Sequence, residues 1–380
     1  MKSLPPLTLY IHVPWCIEKC PYCDFNSHKI QGHIPEQQYV NRLLDDIRAD
    51  ADWAQQRPVQ AIFFGGGTPS VLQPDSIARI IAGVAKVLPL AADCEITLEA
   101  NPGTFEVERF AGFVEAGVNR LSIGIQSLKD QQLRALGRIH SSAQARVAAA
   151  HAKALGLRSY NLDLMHGLPE QSVADAMADL DQIIALDPPH ISWYQLTIEP
   201  NTSFASRPPQ LPDDDVLWDI YTEGHKKLEA AGYQQYEVSA YAKAGHQSRH
   251  NRNYWEFGDY LGIGCGAHSK ITLAAEDNAL LRCEKVKHPK GYLDLTRTLR
   301  YRTQYVAKQD ELFEFFMNRL RLLEPVPKQQ LLERTHCTTA EADQALRNSI
   351  DKGWVISDKN QWRLTRDGHR FLNSVLEDLL

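Results

Sequence analysis

Apolar residues in the first half of the chain recur with two alternating periods. Short runs rich in β-branched and aromatic residues at 7–13, 61–64, 95–99, 120–126, 159–164 and 190–196 read as six strands. Between them, segments 37–55, 75–87, 105–116, 131–136, 143–155 and 173–186 are compatible with helices. Asp75 and Ser172 are the predicted N-caps, and Gly117 and Gly156 the predicted C-terminal stops. Strand and helix alternating six times predicts parallel strands with right-handed crossovers, an α/β chain closing partly or wholly into a (β/α)6 barrel. In such a barrel the functional groups gather at the C-terminal ends of the strands.

Past residue 230 the pattern changes. Segments 232–241 and 260–273, the latter with Gly262, Gly264 and Gly266, read as an irregular β-rich extension able to cover the barrel mouth. Cys265 and His268 fall there as candidate metal or heme ligands or, the favoured reading, as packing beside a glycine turn. From 310 onward the pattern is helical at 312–323, 328–334 and 340–352, then a hairpin within 354–364 and a last helix to 380. The predicted division is therefore 1–230 for the barrel, 231–305 for the extension and 306–380 for a helical, winged-helix-like domain.

Charge and composition narrow the class. A winged helix raises nucleic-acid binding, but residues 310–380 carry ten Lys and Arg against twelve Asp and Glu, and the whole chain has a net charge of −6. No nucleic-acid partner is predicted, and the last domain reads as a packing or partner module. With 43% hydrophobic and 23% charged residues the chain is ordinary for a soluble globular protein. No apolar run approaches the ~20 residues of a membrane span, and the N-terminus lacks a signal-peptide pattern. Four of the seven cysteines, Cys94, Cys265, Cys283 and Cys337, are scattered singly, which predicts a reducing cytoplasm over a disulfide framework.

The other three change the picture. Cys16-Ile-Glu-Lys-Cys20-Pro-Tyr-Cys23 follows the first strand directly. A C-x3-C-x2-C loop offers three thiolates to one inorganic centre and leaves a coordination position open. Around an iron–sulfur cubane, the free iron would chelate the amino and carboxylate groups of S-adenosyl-L-methionine (SAM). Two other centres use the same thiols. A zinc site would recruit His12, Asp24 or His28 as fourth ligand. A Cys20–Cys23 dithiol would leave Cys16 surplus and want a continuous helix that 24–35 does not offer.

Later strand ends carry polar or glycine residues in turn: Gly65-Gly66-Gly67-Thr68-Pro69, then Glu99 with Asn101, Gln126, and Asp163 with His166. The glycines form neither a phosphate loop nor a dinucleotide fingerprint. They are either a tight connection or a place where backbone approaches a ligand. Glu99 is either a cap for the next helix or an acceptor for ribose hydroxyls. Arg138 and Asp163 would pass as solvated charges outside this rim.

Tyr10-Ile-His12-Val-Pro14, the three cysteines, Phe64-Gly-Gly-Gly-Thr-Pro69 and Asn161-Leu-Asp163-Leu-Met-His-Gly-Leu-Pro169 resemble the radical SAM superfamily. Within it, the whole chain is similar to the coproporphyrinogen III dehydrogenase-like group. The resemblance implies that Cys16, Cys20 and Cys23 bind a 4Fe-4S cluster. It also implies that Tyr10, Gly66, Gly67, Thr68, Glu99, Gln126, Arg138 and Asp163 surround SAM. Oxygen-independent coproporphyrinogen III oxidases resemble C-x3-C-x2-C-x-C and carry a longer segment before the first strand. Here Phe25 takes the fourth position and nine residues precede Tyr10.

His250-Asn251-Arg252-Asn253-Tyr254-Trp255 matches the H-N-x-x-Y-W signature of HemW-type heme chaperones. A neutral imidazole suits an axial position on iron and aromatics cover a flat macrocycle. The resemblance implies heme as cargo, His250 as its ligand with Tyr254 and Trp255 beside it, and apo-hemoproteins as recipients, membrane-bound respiratory enzymes among them. It further implies a cluster-dependent homodimer and a cytoplasmic protein that reaches the inner face of the membrane. The alternative is oxidative decarboxylation of porphyrinogen propionates. Anaerobic purification should give a brown protein with acid-labile sulfide; a colourless, zinc-loaded chain would overturn the cluster reading.

Overall fold

The computed structural model describes residues 3–380, except for the side chains at 104 and 105. Strands β1 (Leu7–Val13), β2 (Val59–Gly66), β3 (Leu90–Ala100), β4 (Arg120–Gln126), β5 (Ser159–His166) and β6 (His190–Gln195) lie side by side in that order, all parallel. Helices α1 (Glu36–Asp50), α2 (Pro74–Val87), α3 (Phe110–Glu115), α4 (Ser142–Ala154) and α5 (Val173–Leu186) occupy the connections. β1 and β6 each pair with a further strand and not with each other, so the (β/α)6 barrel stays open.

Alternation along the strands separates two faces. Leu7, Leu9, Ile11 and Val13 of β1 and Leu121, Ile123 and Ile125 of β4 are fully buried in one apolar core with helix residues such as Ile77, Ile80 and Val84 of α2. The intervening Thr8, Tyr10 and His12, like Arg120, Ser122 and Gln126, take the opposite face. The barrel interior is therefore unusually polar.

Local signals explain most element ends. Ser172 caps α5 in a reciprocal capping box with Asp175, while Gly117 and Gly156 adopt positive φ after their helices. Asp75 is not an N-cap: Gln73 holds that position, Pro74 opens α2, and Asp75 sits in its first turn. The helix expected over 105–116 is broken into Thr104–Val107 and Phe110–Glu115, and at the break Arg109 donates to the carbonyls of Val71 and Leu72.

After β6 come α6 (Asp214–Ala230) and a hairpin of β7 (Gln234–Glu237) and β8 (Ala240–Ala242), with β8 antiparallel to β6. Helix α7 (Arg249–Trp255) then leads to β9 (Asp259–Ile263), which pairs parallel with β1. β10 (His268–Leu273), β11 (Ala279–Lys285) and β12 (Arg300–Tyr305) continue as an antiparallel meander. The two segments expected as a single extension thus lie on opposite edges of one twelve-stranded sheet. Strand β12 forms an outer edge, with Tyr301 and Tyr305 exposed.

The remaining chain has its own core around Phe315, Phe316 and Trp362, to which Phe257, just after α7, contributes. Helices Lys308–Arg319, Lys328–Arg334 and Thr339–Ala345 precede a small sheet of Val326–Pro327, Gln361–Leu364 and Val355–Ser357.

A buried ion cluster fixes the β9–β12 meander to α1. Lys285 Nζ lies 2.5 Å from both Asp46 and Asp50, all fully buried; Tyr292 donates to Asp46, and Arg300 to Asp50. Burial opposes the charge on Lys285, but the two carboxylates outweigh it and raise its pKa. Lys285→Met should lower the urea midpoint by the equivalent of about 3–5 kcal/mol. Adding Asp46→Asn and Asp50→Asn should restore most of it.

Candidate functional site

The C-terminal ends of the strands meet at a cavity of about 280 Å³. Its lining includes Cys16, Cys20 and Cys23, then Gly66, Gly67 and Thr68, and Glu99, Gln126, Arg138 and Asp163. Of the residues singled out from sequence for cluster and SAM, Tyr10 alone does not line it. Its hydroxyl bonds His12 Nδ1 at 3.0 Å, and its ring stacks near Phe63 and His250.

The cysteine loop is anchored at both ends. Trp15–Cys16 pairs with His28–Lys29, and Asn26 Nδ2 donates to the carbonyls of Cys265 and Lys287 at 2.9 Å. Inside it, Lys19 Nζ donates to the carbonyls of Phe25 and Ser27 at 3.2 Å. Donors meet two of the sulfurs: Arg138 Nη1 lies 3.4 Å from Cys20 Sγ and Ser27 Oγ 3.7 Å from Cys23 Sγ. Cys265 points away and donates to Lys287 O at 2.8 Å, in keeping with packing. Among the described residues no three Cys, His, Asp or Glu side chains converge as a single-ion site. Three thiols lining one cavity suit an inorganic centre that each sulfur reaches from its own side.

The glycine turn is explained by packing. A Cβ on Gly66, at φ +108°, would meet the His12 imidazole at 2.3 Å, and one on Gly67 would meet Trp15 O at 2.6 Å. Their amides are engaged: Gly66 N donates to Glu99 at 3.2 Å, Gly67 N to Val13 O, and Thr68 N to Trp15 O. The turn thus seats the cysteine loop against β2, and a ligand would find carbonyls there before free N–H groups.

Across the cavity the groups interlock. Arg138 Nη2 donates to Asn101 Oδ1 at 2.6 Å and Gly124 O at 2.8 Å, and Asn101 donates to Thr68. Gln126 holds φ +68°, an uncommon conformation for a residue with a side chain, and accepts from Tyr194 at 2.8 Å. Asp163 accepts from Asn161 at 2.7 Å and Ser122 at 3.3 Å. Burial, then the charge of Asp163, pushes Glu99 up to about 8; burial likewise raises Asp163. Two acidic groups crowded into one enclosed space hold protons more tightly than usual, and a cationic guest such as the ammonium or sulfonium of SAM would favour their charged forms. The residues present therefore fit a cubane on the cysteines and SAM beside it. Ser122 and Tyr194 were not singled out from sequence, and Asn101 and Asn161 were named only as a polar strand end and as part of a motif; the period-two alternation that places Gln126 inward also reaches Ser122.

His250 lies elsewhere. Helix α7 closes the opposite, N-terminal end of the barrel, where Glu95 accepts from Arg249 N at 3.0 Å and His250 N at 3.4 Å. The His250 ring is 5.0 Å from Phe63, its Nδ1 is buried with no partner among the described residues, and burial lowers its pKa to about 3. Tyr254 and Trp255 follow on the same helix, their rings 4.9 Å apart. From the helix cap a hydrogen-bond chain crosses the barrel. Ser248 N donates to Tyr236 Oη at 3.3 Å, Tyr236 meets His190 Nε2 at 2.9 Å, and His190 Nδ1 meets Asn161 at 2.6 Å, which holds Asp163.

A sheet of this order, three cysteines after its first strand and a rim of polar strand ends facing them define a radical SAM protein. The radical SAM superfamily model matches residues 10–182, and the HemN C-terminal domain model matches 306–371. The protein named heme chaperone HemW from Escherichia coli is 54% identical over 377 residues, 99% of each chain, and its namesake from Haemophilus influenzae is 54% identical over 381 residues, 99% of this chain and 98% of its own. The chain belongs to the HemW family. Among solved structures, coproporphyrinogen III oxidase (HemN) from Escherichia coli superposes with a TM-score of 0.83 at 23% identity, over 99% of this chain and 90% of that one, a likeness of fold. Among the described residues no helix is long and apolar enough to cross a membrane.

Between about pH 4.5 and 8 the folded chain keeps a proton on Glu99 that the unfolded chain has lost, so its contribution to stability is full at low pH and fades as pH rises to 8. In the cluster-free chain, Glu99→Gln should remove a downward slope of up to about 1.4 kcal/mol per pH unit from urea stability across that window.

Proposed function

We propose that this chain binds heme and delivers it to hemoproteins from a radical SAM scaffold. The near-full-length identity with proteins named heme chaperones carries the reading, and the complete H-N-x-x-Y-W sequence supports it. Cys16, Cys20 and Cys23 would hold the 4Fe-4S cluster. Thr68, Glu99, Gln126, Arg138 and Asp163, with the carbonyls of Gly66 and Gly67, would hold SAM, and Tyr10 would support that wall through His12. Cluster and SAM together supply one-electron chemistry at a sulfonium.

The chain's own residues make the SAM side selective for charge. Asp163, and Glu99 once it gives up its proton, attract the cation, while Arg138, beside Cys20, holds Asn101 and offers positive charge to an electron-rich centre. Phe25, 61% exposed, stands where the oxidases resemble a fourth cysteine, so the loop presents an apolar tip to a partner instead of a further ligand. Recipients include membrane-bound respiratory enzymes reached from the cytoplasm. The seven free cysteines favour that reducing compartment.

The test is anaerobic: the reconstituted chain is loaded with hemin and mixed with a heme-free recipient, with and without SAM and reductant, and assayed in parallel for coproporphyrinogen decarboxylation. Stable uptake followed by transfer is expected. Robust decarboxylation without stable uptake would overturn the reading in favour of the oxidase.

A further inference from the structure

The cysteine cavity is tied through the barrel to the helix that closes the opposite end. A second cavity, about 1300 Å³ between α6, the β7–β8 hairpin and the helix Arg366–Arg370, has its Trp218 face already covered by the Arg370 guanidinium at 4.4 Å. The hairpin of that cavity also carries Tyr236, and Tyr236 lies on the hydrogen-bonded path that joins α7 to Asp163.

Every proton along this path has a fixed place. The Ser248 amide, at the N-cap of α7, can only donate, so the Tyr236 oxygen accepts from it at 3.3 Å. Burial holds Tyr236 above the ordinary tyrosine range, which keeps its O–H, and holds His190 well below the ordinary histidine range, which keeps it neutral. A neutral imidazole has one N–H and one lone pair. At the other end an ionised Asp163 can only accept, so Asn161 turns its amide nitrogen to Asp163 at 2.7 Å and to Ser122 Oγ at 2.9 Å. Its carbonyl oxygen then faces His190 Nδ1 at 2.6 Å and Ser192 Oγ at 3.1 Å, and takes a proton from each. The His190 proton therefore sits on Nδ1, and Nε2 accepts from the Tyr236 hydroxyl at 2.9 Å. From a donor-only amide to an acceptor-only carboxylate, four bonds run in one direction.

The arrangement guards one side-chain rotation. A half-turn of the Asn161 amide would point its oxygen at the Asp163 carboxylate and its nitrogen at the His190 N–H, two mismatches in a buried space. Moving the His190 proton to Nε2 would lift half of that penalty, and Asp163 would lose its donor. The Tyr236 hydroxyl, itself held by the Ser248 amide, selects against that tautomer.

We propose that His190 and Tyr236 are positioning residues for SAM, and that the start of α7 sets through them, and through Asn161, the orientation of Asp163 in the SAM cavity. The proposal rests on reading Asp163 as part of the SAM wall. His190 and Tyr236 stand outside the lining of that cavity, so they act on the ligand through Asp163 alone. The H-N-x-x-Y-W helix thereby matters to SAM affinity from the opposite end of the barrel. By linkage, SAM bound at one end steadies the cap of α7 at the other.

The experiment is a calorimetric SAM titration of the anaerobically reconstituted, cluster-loaded full chain, with urea midpoints alongside. The variants are Tyr236→Phe, His190→Asn, His190→Gln, Asp163→Asn, and Tyr236→Phe combined with Asp163→Asn. Asp163→Asn should weaken SAM about tenfold or more, and Tyr236→Phe, which removes a single hydroxyl, about three- to tenfold. His190→Asn, whose amide nitrogen stands in for Nδ1, should stay near the wild-type affinity. His190→Gln, closer to histidine in size but reaching only the place of Nε2, should weaken SAM as Tyr236→Phe does. A role in filling space alone would reverse that order. In the Asp163→Asn background, Tyr236→Phe should cost nothing further. Wild-type affinity in both Tyr236→Phe and His190→Gln, or full additivity of Tyr236→Phe with Asp163→Asn, would overturn the relay and leave the SAM wall standing. Wild-type affinity in Asp163→Asn, or no SAM binding by the unaltered chain, would instead overturn the place of Asp163 in that wall, and the relay with it. Should the His190 variants not fold, the cycle of Tyr236→Phe with Asp163→Asn decides alone.

Discussion

Polar groups sealed inside a barrel must find partners there, because an unpaired buried donor or acceptor costs about 1–3 kcal/mol. This chain turns Thr8, Tyr10, Glu95, Glu99, Ser122, Asn161, Asp163 and His190 inward, and most are bonded to one another or to the backbone of α7. That satisfaction requirement sets the architecture. Glu95 and Tyr236 need the amides at the start of α7, so the motif helix is held at the barrel floor. Asp163 needs Asn161, which in turn is oriented by His190. The cavity's acidic wall and the motif helix belong to one hydrogen-bonded unit, with His250 as a wedge between Tyr10 and Phe63.

Much of this was legible in the residue order. β1, β4 and α5 have the bounds their patterns predict, since apolar alternation and the Ser172 capping box are local signals. The cysteine loop and the rim of Glu99, Gln126 and Asp163 were legible because parallel strands must end on the same side. Three features were not. Pairing of β9 with β1 joins residues some 250 positions apart, and no local pattern encodes such a partner. The purpose of Gly66 and Gly67 depends on how closely His12 and Trp15 approach them. The enclosure of His250 depends on which end of the barrel α7 closes, and its aromatic neighbours looked equally suited to covering a macrocycle.

The two cavities divide the chemistry by size and charge. The smaller is acidic on its SAM side, carries a guanidinium beside one thiol, and is built from barrel residues and the cysteine loop. The larger joins an α6 wall to the C-terminal domain, with exposed aromatics and cations. The β7–β8 hairpin links them structurally: Tyr236 on β7 takes part in the chain that reaches Asp163, while Gln235 and Val238 line the larger cleft.

The outer strand β12 has a consequence for assembly. It leaves one side of its backbone unpaired, a surface on which another chain's strand can add. Its sequence, Arg-Tyr-Arg-Thr-Gln-Tyr, places Arg300 and Arg302 along that margin. Arg300 is held by Asp50 and Arg302 lies 4.0 Å from Glu284, so this margin is balanced in charge and a strand added there would have to fit beside fixed ion pairs, not along a bare edge.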